Sequence, residues 1–571
     1  MTLLKKIFFL KPIFDKVFRI LTRRQKFLML LLLIFIIGFS IIETIGVSII
    51  MPFISVVSDT SVLESGHFKA VYDFFGFEST QQFIVFFGIA IIIFYFIRGG
   101  YSILLTYIKI RYSNSIYKYC ATKALRLNLF IPYKEYAQKN TGELMQAIVN
   151  ETREVSKAVL HILTLFTELF TVIMIYSVLV FINWEMTLIL TFVLLILVIV
   201  MMIFMTKRNA LQGKKRFKSG RKLQRTLKEA LENFKYIKLK GSEEKLLSFY
   251  KTDLNIIKKA TMTNNVLNAT PRIFLETLSF SFLIGIMLFF VMLNNDVSSV
   301  IPMITVYALA LFRIIPSIQR LLHEINGLVF SEETIKNVYK TMRQNIEKEG
   351  SEPVYFENSI RIENVHFQYV TGKEVITDFS LQIKKGEKVA FIGESGCGKT
   401  TLVDIITGIH KPTSGIVYID DAALTNNNIR SWRKKIGYIP QSIYLFDGTV
   451  ADNISFGSTY DEKKIKDALV KANMWDFLLQ KDGITTRVGD GGVQLSGGQQ
   501  QRICIARALY DDPEVLILDE ATSALDNETE QRIMDEIYNA SASKTLIVIA
   551  HRLTTVEKCD RKILIENGRI V

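Results

Sequence analysis

Cysteine, proline and the marks of a cleaved leader are scarce in this 571-residue chain, and each scarcity removes a class of protein. The four cysteines, Cys120, Cys397, Cys504 and Cys559, are scattered, with no CxxC pair and no metal-ligand spacing. A disulfide-stapled scaffold is excluded, and reduced cytosolic thiols are the expected state. Ten prolines stand against 40 phenylalanines, with 49% hydrophobic residues and a mean hydropathy of +0.26. Wholesale disorder and a collagen-like fibre are therefore out. The N-terminus has no small-residue cleavage site, and its apolar stretch continues too long for the core of a secretory signal. Residues 1–26 read as an amphipathic cytosolic lead-in, because Phe8, Phe9, Phe14 and Phe18 interleave with the lysines. The alternative is a solvated basic tail.

What is present divides by position. Apolar residues crowd the first 330 positions, whereas from about residue 351 the chain reads as a soluble α/β domain. The expected division is a membrane domain over 27–330, a linker over 331–355 and a cytosolic domain over 356–571. The net charge of +14 follows the same division. Residues 207–259 hold 17 Lys or Arg and 5 Asp or Glu, a local +12, and residues 1–26 hold 8 Lys or Arg with the single Asp15. Both stretches flank hydrophobic spans, as the positive-inside rule requires, and no nucleic-acid recognition motif accompanies them. A nucleic-acid partner is not expected.

A membrane-crossing helix needs about 20 mostly apolar residues. Six segments qualify: 27 to about 57, 83–108, 159–182, 186–205, 273–293 and about 297–315. Glu43 is the only charge in the first, and Arg98 the only clear one in the second before its end. With the N-terminus inside, the outward loops 59–82, 183–185 and 294–296 contain one Lys, Lys69, and no Arg. The two inward connections, 109–158 and 206–272, carry most of the basic charge. Both termini are thus expected in the cytosol. These connections are too long and too regularly patterned for loops. They read as cytosolic helix extensions with interruptions at 131–143 and 234–241, tips suited to docking a cytosolic engine. In the outward segment 59–79, Phe68, Val71, Tyr72 and Phe75 recur at helical spacing opposite Lys69 and Asp73. An amphipathic helix on the outer surface and a packed loop are equally compatible with that pattern.

The chemistry lies in the second half. A strand over 387–392 runs into Gly393, Glu394, Ser395, Gly396, Cys397, Gly398, Lys399, Thr400, a phosphate-binding loop of the form GxxxxGK[ST] in its strand-loop-helix context. Its glycines let backbone N–H groups wrap phosphates. Lys399 supplies charge to the outer phosphates, and Thr400 can ligate Mg²⁺. The apolar run 515–518 ends in Asp519 and Glu520, one acid to hold Mg²⁺ and the next to polarise an attacking water. Between these sites stands Leu495, Ser496, Gly497, Gly498, Gln499.

LSGGQ is the signature of ATP-binding cassette proteins, and the chain resembles that family over nearly its whole length. The resemblance implies an α-helical six-span transmembrane domain of the ABC exporter type followed by a cytosolic α/β P-loop ATP-binding cassette. It assigns adenine stacking to Tyr369, and catalysis to Glu520, Gln441 of the Tyr438, Ile439, Pro440, Gln441 motif, and the switch residue His551. Nucleotide contacts are implied for Gly393, Ser395, Gly396, Cys397, Gly398, Lys399, Thr400 and Thr401, and for Ser496, Gly497, Gly498, Gln499 and Asp526 of Ser523, Ala524, Leu525, Asp526. Thr400, Gln441 and Asp519 would hold Mg²⁺. Family cassettes face head to tail, each ATP lying between one chain's P-loop and the other's LSGGQ. One complete cassette per chain thus implies a homodimer that hydrolyses ATP to drive transport.

Arg98, Arg272 and Arg313 lie in or at the edge of apolar spans, where an unpaired charge is costly unless it faces water. At 1.5 Å per residue, Arg98 and Arg313 both lie about 23 to 24 Å below the outer ends of their spans. Arg320 follows Arg313 by seven residues, on one helix face unless Pro316 kinks it away. Several unpaired arginines around an inward cavity would suit an anionic head group, phosphate above all. Glu276 could neutralise Arg272, and Glu43 and Glu168 could be pairing partners. Residues 42–59, 233–240 and 392–408, with these arginines, resemble the Campylobacter-type flippases for lipid-linked oligosaccharides of bacterial protein N-glycosylation. That resemblance implies an undecaprenyl-pyrophosphate-linked glycan as cargo, moved from the cytosolic to the periplasmic leaflet of the bacterial inner membrane. An exporter of another lipid, a peptide or a drug shares the architecture, and an ATP-gated channel is the rival of a different class.

Overall fold

The computed structural model describes residues 2–58, 72–77, 79–182, 184–292, 297–344, 346–369, 372, 374–520, 527–550 and 556–571, without some side chains, chiefly between 278 and 310. The chain forms two compact units. One holds Met1–Leu129 with Lys139–Gln344, the other Phe130–Gln138 with Asn345–Val571.

The first unit is helical throughout. A lead-in helix α1 (Thr2–Ile20) buries Leu10, Ile13, Val17 and Ile20 along one stripe. Helix α2 (Arg23–Ser48) starts at a capping box, in which Thr22 Oγ1 accepts from the Gln25 N–H at 3.3 Å and the Gln25 side chain accepts from the Thr22 N–H at 2.9 Å. The first span is not one helix: α2 ends at Ser48 and α3 (Ile50–Ser58) restarts beyond it. Pro52 sits in the first turn of α3, where a missing N–H removes no helical bond, so the break falls just before it. Helix α4 (Thr80–Leu129) crosses and continues inward without interruption. A short helix α5 (Tyr133–Tyr136) forms the first tip. Past a π-helical turn (Gln146–Glu151) come α6 (Thr152–Ile182) and α7 (Trp184–Glu232).

The second tip is α8 (Phe234–Lys240), closed by Gly241 at φ +58°. Helix α9 (Glu243–Met292) returns, and α10 (Val297–Phe330) runs through Pro316 as one helix. By length and composition, four helical stretches among the described residues can cross a membrane: Arg23–Ile54, which runs on through the break between α2 and α3, Thr80–Leu129, Thr141–Phe181 and Leu194–Glu232. The described part of the outer segment ends in an aromatic knot, where Tyr72, Phe77, Phe83 and Phe87 meet with centroids 5.4 to 5.9 Å apart. Phe68 and Val71 lie outside the described residues.

Carboxylates pin the inward extensions. Glu151 accepts from Arg221 Nε of α7 at 2.9 Å and from Asn337 Nδ2 at 2.5 Å. Asn337 belongs to a helix α11 (Glu332–Met342) inside the stretch expected as linker; its Ile335, Val338 and Met342 are buried, and that apolar stripe makes it helical. Glu154 binds Arg216 at 2.9 Å and Lys157 at 3.0 Å.

The second unit has two sheets. An antiparallel sheet orders β2 (Glu374–Lys384), β1 (Ser359–Gln368), β4 (Ser414–Ile419) and β5 (Ala422–Ala423). The second sheet orders β10 (Arg569–Ile570), β9 (Arg561–Glu566), β3 (Lys388–Ile392), β8 (Thr545–Ile549), β7 (Val515–Asp519) and β6 (Ile436–Ile439), all parallel except β10. Strands β7 and β8 are buried at every position, which explains their unbroken apolar sequence. Helix α12 (Lys399–Ile406) follows β3, and β6 and β7 end beside its start, the crevice where α/β sheets bind ligands.

Candidate functional site

The phosphate loop between β3 and α12 depends on its glycines. Gly393 has φ +148°, and a Cβ there would stand 2.2 Å from the Ile565 carbonyl; at Gly398, φ +109°, it would stand 2.9 Å from Ile376. No other residue fits both the conformation and the space. Lys399 is 4% exposed. Its Nζ donates to the Gly393 and Glu394 carbonyls at 2.8 and 2.9 Å and lies 3.8 Å from Cys397 Sγ. The ammonium is thus held over a glycine-rich loop of the kind whose backbone amides suit a phosphate.

Two strand ends supply the acids. Asp519, 4% exposed, accepts from Tyr438 Oη at 2.9 Å and from Thr400 Oγ1 at 3.4 Å. Burial, reinforced by Glu520, outweighs these bonds and raises its carboxyl above the ordinary value. Glu520 follows in a left-handed backbone, φ +44°, and its Oε2 accepts from Gln441 Nε2 at 2.7 Å. A left-handed glutamate is strained by on the order of 1 to 3 kcal/mol, as is common where the backbone must aim a functional side chain. The Thr400 hydroxyl and the Asp519 carboxylate meet here, with the Gln441 amide held on the adjacent Glu520; hydroxyl and carboxylate oxygens suit a hard divalent cation sharing its remaining positions with phosphates and water.

Ser496 and Gln499 have a local structural role that explains their spacing. They form the capping box of α13 (Gly497–Leu509): the Gln499 N–H donates to Ser496 Oγ at 3.4 Å and the Ser496 N–H to Gln499 Oε1 at 3.0 Å. Nothing lies within 4 Å of where Gly497 or Gly498 would carry a Cβ. The helix end is bare and faces outward, ready for an anion.

Tyr369 is 37% exposed; its ring meets Phe367 edge-on at 5.0 Å, and its hydroxyl lies 3.2 Å from Thr401 Oγ1. Gly396 and Ser395 lie in the loop between Gly393 and Gly398. Asp526 and His551 fall outside the described residues. Sequence reasoning passed over Tyr438, whose hydroxyl seats Asp519, and Asp404 on α12, whose carboxyl burial pushes up to about 6 with help from Asp519. The apolar placement of Asp404 one turn past the P-loop was the available signal for the second.

In the membrane unit, the expectation of unpaired arginines is corrected. Glu43 of α2, its side chain fully buried, receives both Arg98 of α4 and Arg313 of α10. Arg98 grips it with a fork, Nε to Oε2 at 2.6 Å and Nη2 to Oε1, while Arg313 reaches Oε1 through Nη2. Arg320 forks onto Glu168 of α6 at 2.5 and 3.1 Å. Arg272 pairs with Glu276 on its own helix at 2.7 Å. The reason is electrostatic: a carboxylate taken out of water at this depth must gather cations, and cations on neighbouring helices at the same level are the nearest. Two guanidiniums on one carboxylate still leave one positive charge in excess. Arg98 and Arg313 retain side-chain exposures of 28% and 24%.

Residues 26–315 match the family model for the ABC transporter transmembrane region, and residues 376–523 that for the ABC transporter. The chain is 33% identical over 463 residues to the heterocyst differentiation ATP-binding protein HepA of Nostoc sp., covering 79% of this chain and 73% of that protein. It is 29% identical over 496 residues to the ATP-dependent lipid A-core flippase of Ralstonia nicotianae, covering 85% and 82%. It is likewise 29% identical over 444 residues to the flippase of the same description from Paraburkholderia xenovorans, covering 76% and 74%. A bacterial Atm1-family ABC exporter with ATP bound shares the fold at a TM-score of 0.75 and 20% identity, over 96% of this chain and 94% of that one. The matched transmembrane region and the matched ATPase domain that follows it together make a protein that binds and hydrolyses ATP to drive transport across a membrane. The chain belongs to the ABC transporter family, as a half-transporter of the exporter type.

Proposed function

We propose that a homodimer of this chain uses ATP to flip an undecaprenyl-pyrophosphate-linked oligosaccharide from the cytosolic to the periplasmic leaflet of the bacterial inner membrane, for protein N-glycosylation. The observation that carries this reading is the convergence of Arg98 and Arg313 on buried Glu43, with both arginines still partly open. Glu43 holds the two forks side by side against their mutual repulsion. Their remaining N–H groups and the one excess positive charge suit a phosphate or pyrophosphate. Arg320 extends the same helix face one heptad inward, and Arg272 is the outlying member of the set.

Dimerisation places each bare α13 end, with Ser496, Gly497, Gly498 and Gln499, over the partner's P-loop. The tip α8 supports this, because its Phe234, Tyr236 and Leu239 are 59%, 62% and 75% exposed and basic residues flank them. Thr400, Asp519 and Gln441 would hold Mg²⁺, which supplies positive charge to the transferring phosphate. Glu520 accepts the proton of the attacking water, Gln441 orients Glu520, and His551 and Asp526 complete the shared site. Both termini and the cassette lie in the cytosol.

The names of the relatives favour a second reading, export of another lipid, since two of them are lipid A-core flippases. Reconstituted vesicles separate the two. ATP-dependent flipping of an undecaprenyl-pyrophosphate glycan, with ATPase stimulated by it and not by lipid A-core, is the expected result. Stimulation by lipid A-core alone overturns the cargo and leaves the exporter intact.

A further inference from the structure

The tip α5 is joined to the strand that leads to Tyr369. Residues 130–138 belong to the same compact unit as the cassette, and His410, 3% exposed, stands at the centre of their contact. Its ring stacks on Phe367 at 4.9 Å and 29°, meets Tyr369 edge-on at 5.5 Å and 86°, and lies 5.5 Å from the ring of Tyr133 in the tip. Lys134, the next tip residue, donates from Nζ to the Gln368 carbonyl at 2.6 Å, with its ammonium 5.2 Å from the Phe367 ring centroid. The strand end is held from the other side as well. The Gln368 N–H donates to Thr413 Oγ1 at 3.3 Å, and the Thr413 N–H to the His366 carbonyl at 2.8 Å. The loop carrying His410 is itself tied to the P-loop helix, because the His410 N–H donates to the Asp404 carbonyl at 2.9 Å.

We infer that His410 is a positioning residue that ties Tyr369 to the tip α5, so that nucleotide seated against Tyr369 sets the order of residues 130–138. His410 is buried between the rings of Phe367, Tyr369 and Tyr133, so a displacement of Tyr369 towards it bears on the imidazole, and the imidazole in turn bears on Tyr133. The inference rests on the reading of Tyr369 as the residue that stacks on adenine. Burial and the neighbouring Lys134 ammonium both lower the His410 pKa, leaving the imidazole neutral at pH 7. Its Nε2 lies 3.8 Å from Asp404 Oδ2, and its ring makes the contacts with Phe367, Tyr369 and Tyr133; the ring contacts are the part a phenylalanine can supply and an alanine cannot.

The full chain in nanodiscs, with no transported cargo, suffices for the test. Hydrogen exchange is measured over residues 130–138 with and without Mg²⁺ and a non-hydrolysable ATP analogue, beside KM and kcat of the basal ATPase. The analogue is expected to slow exchange at the tip of the wild-type protein. His410→Ala should remove most of that nucleotide-dependent slowing and raise KM for ATP about 2- to 10-fold, more than it changes kcat, and His410→Phe should restore both. Tyr133→Ala reads the same contact from the exposed side of the tip and should lose the slowing too, which keeps the test open if His410→Ala does not fold. Wild-type slowing in both alanine variants, or exchange raised equally with and without the analogue, overturns the inference. Tyr369→Ala separates the two levels: an unchanged KM there removes the adenine reading, and the inference with it. A raised KM in Tyr369→Ala beside a wild-type His410→Ala removes only the tie through His410.

Discussion

Replacing Arg313 by alanine tests the head-group reading with least damage to the fold. Glu43 is fully buried, and stripping it of both arginines would leave an uncompensated charge costing about 3 to 5 kcal/mol. Arg313→Ala avoids that, because the Arg98 fork onto both Glu43 oxygens remains. What is lost is one guanidinium's charge-assisted contact with the cargo, worth about 1.5 to 3 kcal/mol. At about 1.4 kcal/mol per decade, half-saturation of flipping by the pyrophosphate-linked glycolipid should rise about 10- to 150-fold while basal ATPase and thermal stability stay near wild type. Arg313→Lys should recover part of this, since a point charge lacks the planar fork. The complete test removes the pair with its counter-charge, as Arg98→Ala, Arg313→Ala, Glu43→Gln, so that no carboxylate is orphaned. Flipping and cargo-stimulated ATPase are measured in proteoliposomes. Wild-type half-saturation in a stable Arg313→Ala, and flipping by the triple variant, would refute the reasoning and return the arginines to a purely structural role.

Glu520→Gln should keep ATP binding while hydrolysis falls at least about a hundredfold, because the amide can hold Gln441 but cannot take a proton from water; near-normal phosphate release excludes that role. Cys397, inside the phosphate loop and 3.8 Å from Lys399 Nζ, should make the ATPase sensitive to bulky thiol reagents and protectable by ATP, and an equally sensitive Cys397→Ser would assign the effect to another cysteine. Asp404, pushed up to about 6 mainly by burial, has a folded pKa above its unfolded value near 3.9, so it favours the folded state below pH 4 and loses that contribution as pH rises through 6. Asp404→Asn should accordingly raise the free energy of unfolding at pH 8 more than at pH 5, by at most about 3 kcal/mol, and an equal gain at both would place the cost of Asp404 elsewhere.

The amino-acid sequence alone determined whatever depends on neighbours along the chain. The four helical stretches that can cross a membrane among the described residues follow from apolar runs, the tight loop before α12 from glycines whose backbone no other residue can adopt, and the start of α13 from a serine and glutamine three residues apart. Tertiary structure decided what depends on helices meeting. Glu43, the lone charge of its span, became the shared partner of Arg98 and Arg313 because α2, α4 and α10 pack at one level in a medium that leaves no carboxylate unpaired. Tyr438 reached Asp519 because their strands end side by side, and His410 came between Tyr369 and Tyr133 only when the tip folded onto the cassette. Their spacing along the chain carries no trace of these contacts, because a contact across the fold stabilises the same geometry whatever the length of chain between its partners, beyond a slowly growing entropy of closure.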